Sequence, residues 1–212
     1  MRRLLPPAVA LLVAVLAGLW LWNRTAPAPE ADPAGAVTAV ELGGPFELVD
    51  ASGRTVTDRD FRGRWMLIFF GSTFCPDVCP TTLGTVAVAL ERLGPLADSV
   101  APVFVSVDPE RDTPEVVGEF VRQFDPRIVG LTGTPERIAE VAKRYRVFYR
   151  KVEPEEYGGA KGDPYLIDHS AWLYLFDPAG RFVKAFQHGV EPERLAAEIA
   201  AAMGEELPPA GS

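Results

Sequence analysis

The chain is poor in the residues that make cross-links. Its 212 residues include two cysteines and two histidines. Two cysteines exclude a disulfide-built scaffold. The only imidazoles available as ligands are His169 and His188. Positive charge is also short: 21 Lys and Arg stand against 29 Asp and Glu, for a net charge of -8. No Lys/Arg cluster occurs, and a chain that cannot neutralise phosphates is a poor partner for nucleic acid. There is no internal repeat. The one biased tract is Ala/Pro-rich, at residues 23–40.

What is present is an ordinary globular balance, 48% hydrophobic and 24% charged, behind an apolar N-terminus. From Leu4 to Trp22 no charge interrupts the sequence. As a helix this run spans roughly 28 Å, close to the thickness of a bilayer core. Trp20 and Trp22 stand at its far end, where aromatic residues suit the lipid–water boundary. Arg2 and Arg3 precede it and favour the cytoplasmic side. The expectation is a short cytoplasmic tail at residues 1–3 and a single-pass anchor at 4–22 in a bacterial inner (cytoplasmic) membrane. The rest of the chain then lies on the extracytoplasmic side. A cleaved signal peptide is the competing reading, since Ala26 to Ala28 reads "APA". The run is longer than a usual signal core, which favours the anchor. Residues 23–40 read as a linker, residues 41–204 as the folded domain, and residues 205–212 as a flexible tail.

Within the domain, "FELVDASGRTVTD" predicts a hairpin turning at Ser52–Gly53. "WMLIFFG" and "PVFVSVD" are unbroken apolar runs, as in strands buried on both faces. Leu83, Val86, Leu90 and Leu93 share one helical face, with Pro80 at the expected first position. Thr113–Pro114 and Thr134–Pro135 each predict a capped helix start. "RIVGLTG" and "VFYRKV" read as short strands and residues 153–167 as a long polar loop. "AWLYLFDPAGRFVKAFQ" reads as a hairpin, and Pro192 opens a last helix. Alternating strands and helices predict an α/β domain, a central mixed sheet flanked by helices. With a Cys pair after an early buried strand, this is the thioredoxin-like arrangement.

Both cysteines lie in "FFGSTFCPDVCPTTL", with three residues between them, each followed by proline. On a regular helix their Cβ atoms would stand about 5–6 Å apart, too far for a disulfide. Pro76 disfavours helical backbone at Cys75, so Cys75 belongs on a loop able to fold back on Cys79. Cys79 lies at a helix start, where the dipole favours thiolate. Such a loop can close as a disulfide or open as a two-thiolate clamp. An inert staple is the bland alternative, though so short a loop stabilises little. In a thioredoxin-like fold the loop before the "AWLYLF" strand faces the cysteines, and His169 sits there, between Asp168 and Ser170. Two sulfurs and one imidazole suit copper, Cu(I) above all, whereas structural zinc wants four ligands. His188 follows a strand and reads as a bystander.

"GSTFCPDVCP", "VSVDPERDTPE", "VGLTGTPERI" and "IDHSAWLYLFDPAG" together resemble the Sco/SenC family of copper-binding proteins that assemble cytochrome c oxidase. The resemblance runs from about Phe46 to Met203. It implies copper ligation by Cys75, Cys79 and His169, and an N-terminal membrane anchor. It also implies delivery of copper to the binuclear site of oxidase subunit II, after receipt from an upstream copper donor. A thiol–disulfide oxidoreductase using Cys75 and Cys79 as its redox pair is a second reading on the same residues. A peroxidase is a third: Ser72 fits its pattern, but Ile68 stands where that pattern has proline. Asp77, Asp108 and Asp168 are candidates for supporting the ligands from behind. Arg111 and Asp112 read as a solvated loop pair.

Overall fold

The structure, a computed structural model, describes residues 42–207 together with Leu16 and Trp20. The expected tail, anchor and linker otherwise lie outside the described residues, as do the last five positions. No helix among the described residues is long and apolar enough to cross a membrane.

Seven strands form one mixed sheet in the order β2-β1-β5-β4-β3-β8-β9. These are β1 (Glu47–Asp50), β2 (Thr55–Thr57), β3 (Trp65–Gly71), β4 (Val100–Ser106), β5 (Val129–Thr132), β8 (Trp172–Phe176) and β9 (Phe182–Gln187). The central trio β3, β4 and β5 runs parallel; β1 and β8 beside it run antiparallel to it, and the edge strands β2 and β9 run antiparallel to those two. Four helices connect or follow them: α1 (Val78–Leu93), α2 (Pro114–Arg122), α3 (Pro135–Arg144) and α4 (Pro192–Met203).

The apolar run of β3 explains the layering. Successive side chains point to opposite faces. Leu67 and Phe69 pack with residues of α1, α2 and α4, while Met66, Ile68 and Phe70 pack with those of α3. Each large side chain so buried is worth about 1.5–3 kcal/mol. Leu83, Val86, Leu90 and Leu93 all point into the first layer; Ile138, Val141, Ala142 and Tyr145 all point into the second. Thr113 and Thr134 cap α2 and α3, each hydroxyl accepting an N–H from the first turn at 3.4 Å.

Three boundaries depart from the sequence reading. Helix α1 begins at Val78, not Pro80, so Cys79 lies inside its first turn. Pro80 is tolerated there because first-turn N–H groups have no partner within the helix. The segment 153–167 is not wholly loop: a 3-10 turn covers Pro154–Glu156, and β7 (Leu166–His169) begins at its end. The "VFYRKV" strand, β6 (Tyr149–Val152), pairs only with β7, forming a separate two-stranded sheet. That hairpin carries His169 opposite Tyr149.

Candidate metal centre

Strand β3 delivers the chain to Gly71, the cysteine loop follows, and α1 receives it. Cys75 is half-buried and Cys79 fully buried, and both are free thiols. The loop folds back as its prolines demand: the Cys75 N–H donates to the Ser72 carbonyl at 3.2 Å, and the Cys79 N–H donates to Cys75 Sγ at 3.3 Å. The Ser72 N–H approaches Cys79 Sγ at 3.5 Å. Gly71 is required by this packing. A Cβ there would stand 2.5 Å from Cys79 Sγ and 3.0 Å from the Phe104 ring.

His169 reaches the pair from β7. Its Nε2 lies 3.4 Å from Cys79 Sγ, and its Nδ1 lies 3.2 Å from the Ser170 carbonyl. An Nδ1–H donating to that carbonyl would leave the Nε2 lone pair free to face the sulfurs, the tautomer a metal ligand needs. The ring also packs edge-on against Phe69, centroids 5.9 Å apart. One ligand atom from each of Cys75, Cys79 and His169 lies within 4.8 Å of the others. The Ser170 carbonyl, a backbone group, was not visible as a partner in the sequence.

The two thiols differ sharply. Cys75 is held down to about 3, first by the Cys79 thiol donating to it, then, against the opposing effect of burial, by the His169 ring and by the backbone N–H groups of Asp77 and Cys79. Cys79 is pushed up, first by that same donation, then by burial and by the negative charge on Cys75. The metal-free pair therefore holds one half-buried thiolate and one buried thiol.

The acidic candidates fall in different places. Asp77 is exposed; its carboxylate accepts the Thr81 hydroxyl at 3.2 Å, while its backbone N–H serves Cys75. Asp168 is exposed across from Arg150 and lies 3.7 Å from its Nε, on the other side of β7 from His169. It does not back the imidazole as expected, because neighbouring strand residues face opposite ways. Asp108 is buried and binds Arg111 and Tyr165 instead of a proposed ligand. His188 stays apart, its Nδ1 2.9 Å from the Thr82 hydroxyl.

Arg111 and Asp112 are not a solvated pair. Asp112 is fully buried; it accepts the Thr73 N–H at 2.9 Å and hydroxyl at 2.6 Å, and also the Ser106 hydroxyl. It therefore ties the start of the cysteine loop to the end of β4. Arg111 lies between two aromatic rings, Phe74 and Tyr165. A groove of 630 Å³ elsewhere in the domain is lined by none of these groups; its Arg137 and Glu47, and its Arg144 and Glu140, pair with each other.

Comparison with known proteins gives a consistent picture. The family model described as SCO1/SenC matches residues 35–204. The protein named sco1 from Schizosaccharomyces pombe is 41% identical over 163 residues, 75% of this chain and 60% of that protein. The chain spans about half the length of the curated relatives it matches. A structure of Arabidopsis thaliana ScoI with copper bound is 40% identical, with a TM-score of 0.71 over 77% of this chain and 98% of that one. One of Bradyrhizobium japonicum ScoI with copper bound is 46% identical, with a TM-score of 0.67 over 74% and 97%.

Proposed function

This chain belongs to the SCO1/SenC family, and on that premise we propose that it is a membrane-anchored copper chaperone that helps assemble the binuclear copper site of cytochrome c oxidase subunit II. The observation that carries the proposal is the convergence of Cys75, Cys79 and His169 within 4.8 Å. The donor set fits the ion: two thiolates hold Cu(I), and the imidazole adds the nitrogen that Cu(II) requires. Cys75 is ready as a thiolate, Cys79 gives up its proton when metal replaces it, and the Ser170 carbonyl fixes the imidazole. The uncharged run from Leu4 to Trp22 supports anchoring in the bacterial inner membrane with this domain outside. Copper then comes from an upstream donor on that side.

The test is a titration of the reduced chain with Cu(I) against a competing chelator. One copper per chain is expected, together with its loss in the double variant Cys75→Ser/Cys79→Ser. The disulfide-linked form should bind no Cu(I) tightly, because sulfurs joined to each other cannot act as thiolate ligands. Equal affinity in both redox states rejects the site.

The inequality of the two thiols favours a second reading, thiol–disulfide exchange. The Cys75 thiolate would attack a partner disulfide and release one partner thiolate. Cys79 would then lose its proton and attack Cys75 Sγ, releasing the second thiolate and leaving Cys75–Cys79 oxidised. His169 separates the readings, since exchange needs only the sulfurs. His169→Ala should abolish stable Cu(II) binding and weaken Cu(I) binding while Cys75–Cys79 disulfide formation continues. In cells lacking the native protein, full rescue of oxidase activity by this variant would replace the chaperone reading with the exchange reading.

A further inference from the structure

Arg111 joins the two segments that carry the three converging side chains. Its guanidinium carbon lies 3.6 Å from the centre of the Tyr165 ring and 4.4 Å from that of Phe74. Phe74 immediately precedes Cys75, and Tyr165 stands four residues before His169, at the entry to β7. The guanidinium is fastened along its edge. Nε donates to Asp108 Oδ2 at 2.6 Å, and Nη1 donates to the Tyr165 carbonyl at 2.8 Å. The Tyr165 hydroxyl donates to the other oxygen of Asp108 at 2.8 Å. Nη2 is buried and finds no acceptor among the described residues.

Charge pairing alone does not account for this arrangement. Neutralising Asp108 asks only for a cation, and a buried N–H without a partner is a cost. What arginine provides and lysine does not is a rigid plane that stacks between two rings while its edge forks to two acceptors. The His169 segment has need of such a tether. Strands β6 and β7 pair only with each other, so the main-sheet ladder does not hold them. Their links to the main body include the edge contact of His169 with Phe69 and the His188 N–H donating to the Ala171 carbonyl at 2.9 Å.

We propose that Arg111 is a positioning residue for the metal centre: its guanidinium, clamped between Phe74 and Tyr165, sets the spacing between the cysteine loop and the strand that carries His169. The copper role of that centre rests on the function proposed above; the clamp itself is a property of the metal-free chain. Loosening it leaves Cys79 in α1 and Cys75 on a loop that Asp112 still ties to β4, and frees only the imidazole. Two-thiolate binding of Cu(I) then survives, while Cu(II), which needs the nitrogen, is lost first.

The full chain and its variants Arg111→Ala, Tyr165→Ala and Tyr165→Phe are compared in two measurements. In the reduced, metal-free protein, hydrogen exchange at the amides of residues 166–170 should speed up by about tenfold or more in both alanine variants, with β3 and β4 unchanged. In metal titrations the same two variants should lose about tenfold or more in Cu(II) affinity, with Cu(I) affinity held within about threefold. Tyr165→Phe keeps the ring and should follow the unaltered chain in both. Unchanged exchange at 166–170, or an equal fall in both affinities, overturns the proposal. Should one alanine variant fail to fold, the other decides. If the unaltered chain binds no copper, the copper function fails and the exchange measurement alone decides the clamp.

Discussion

One missing methyl group shapes the metal centre. Gly71 leaves the space that Cys79 Sγ occupies, so Gly71→Ala should destabilise the fold by about 1–3 kcal/mol in denaturant unfolding, as overpacking of a tight interior does. Gly84, in α1, offers the control. A Cβ there meets nothing within 4 Å, and Gly84→Ala should be neutral or stabilise by up to about 1 kcal/mol. Equal effects of the two substitutions would reject the steric account of Gly71. Cys75 gives a second test. With its pKa lowered from 9.0 to about 3, it is already thiolate at mildly acidic pH. Its alkylation rate should therefore stay nearly flat between about pH 5 and 8, whereas an ordinary thiol gains about tenfold per unit over that range. Cys79→Ala removes the leading cause of the shift and should restore the ordinary slope. A tenfold rise per unit in the unaltered protein contradicts the assigned donation from Cys79 to Cys75.

Elements that announce themselves locally were legible from the sequence alone. The run Trp65–Gly71 reads as a buried strand because every residue in it is apolar or glycine, and it lies at the centre of the sheet. The Thr-Pro pairs read as helix starts because cap and first turn are neighbours in sequence. Cys75, Cys79 and His169 could be singled out because so few sulfurs and imidazoles compete with them. What stayed hidden depends on distant partners. "DPERDTP" looks like a wet turn, yet Asp112 is buried because Thr73, 39 residues earlier, needs its oxygens. Nothing in "VFYRKV" reveals that β6 leaves the main sheet to pair with β7. The hidden network has a measurable cost. Asp112→Ala strands two hydroxyls and an N–H of the cysteine loop and β4, and should cost about 1–3 kcal/mol for each donor left without an acceptor, less what water recovers. A loss of unfolding free energy of a few tenths of a kcal/mol or less would show that the loop holds itself in place.

At the scale of the whole molecule, the described residues from Leu42 to Leu207 form one compact unit. A fragment beginning there should unfold in a single cooperative transition and remain soluble. The complete chain should stay with the membrane through a high-salt wash, because an apolar anchor, unlike a charged surface contact, is indifferent to screening. Recovery of the native protein free in solution with its N-terminus near Pro29 would show cleavage and refute the anchor. The unequal depth of the two sulfurs adds a rule of order. Cys79 has no exposed surface, whereas Cys75 and His169 both reach solvent. On the function proposed above, an ion held by the three would be approached from the side of Cys75 and His169, and an incoming ligand would displace an outer donor before the innermost sulfur. Release would then run in single file, with Cys79 closing the line.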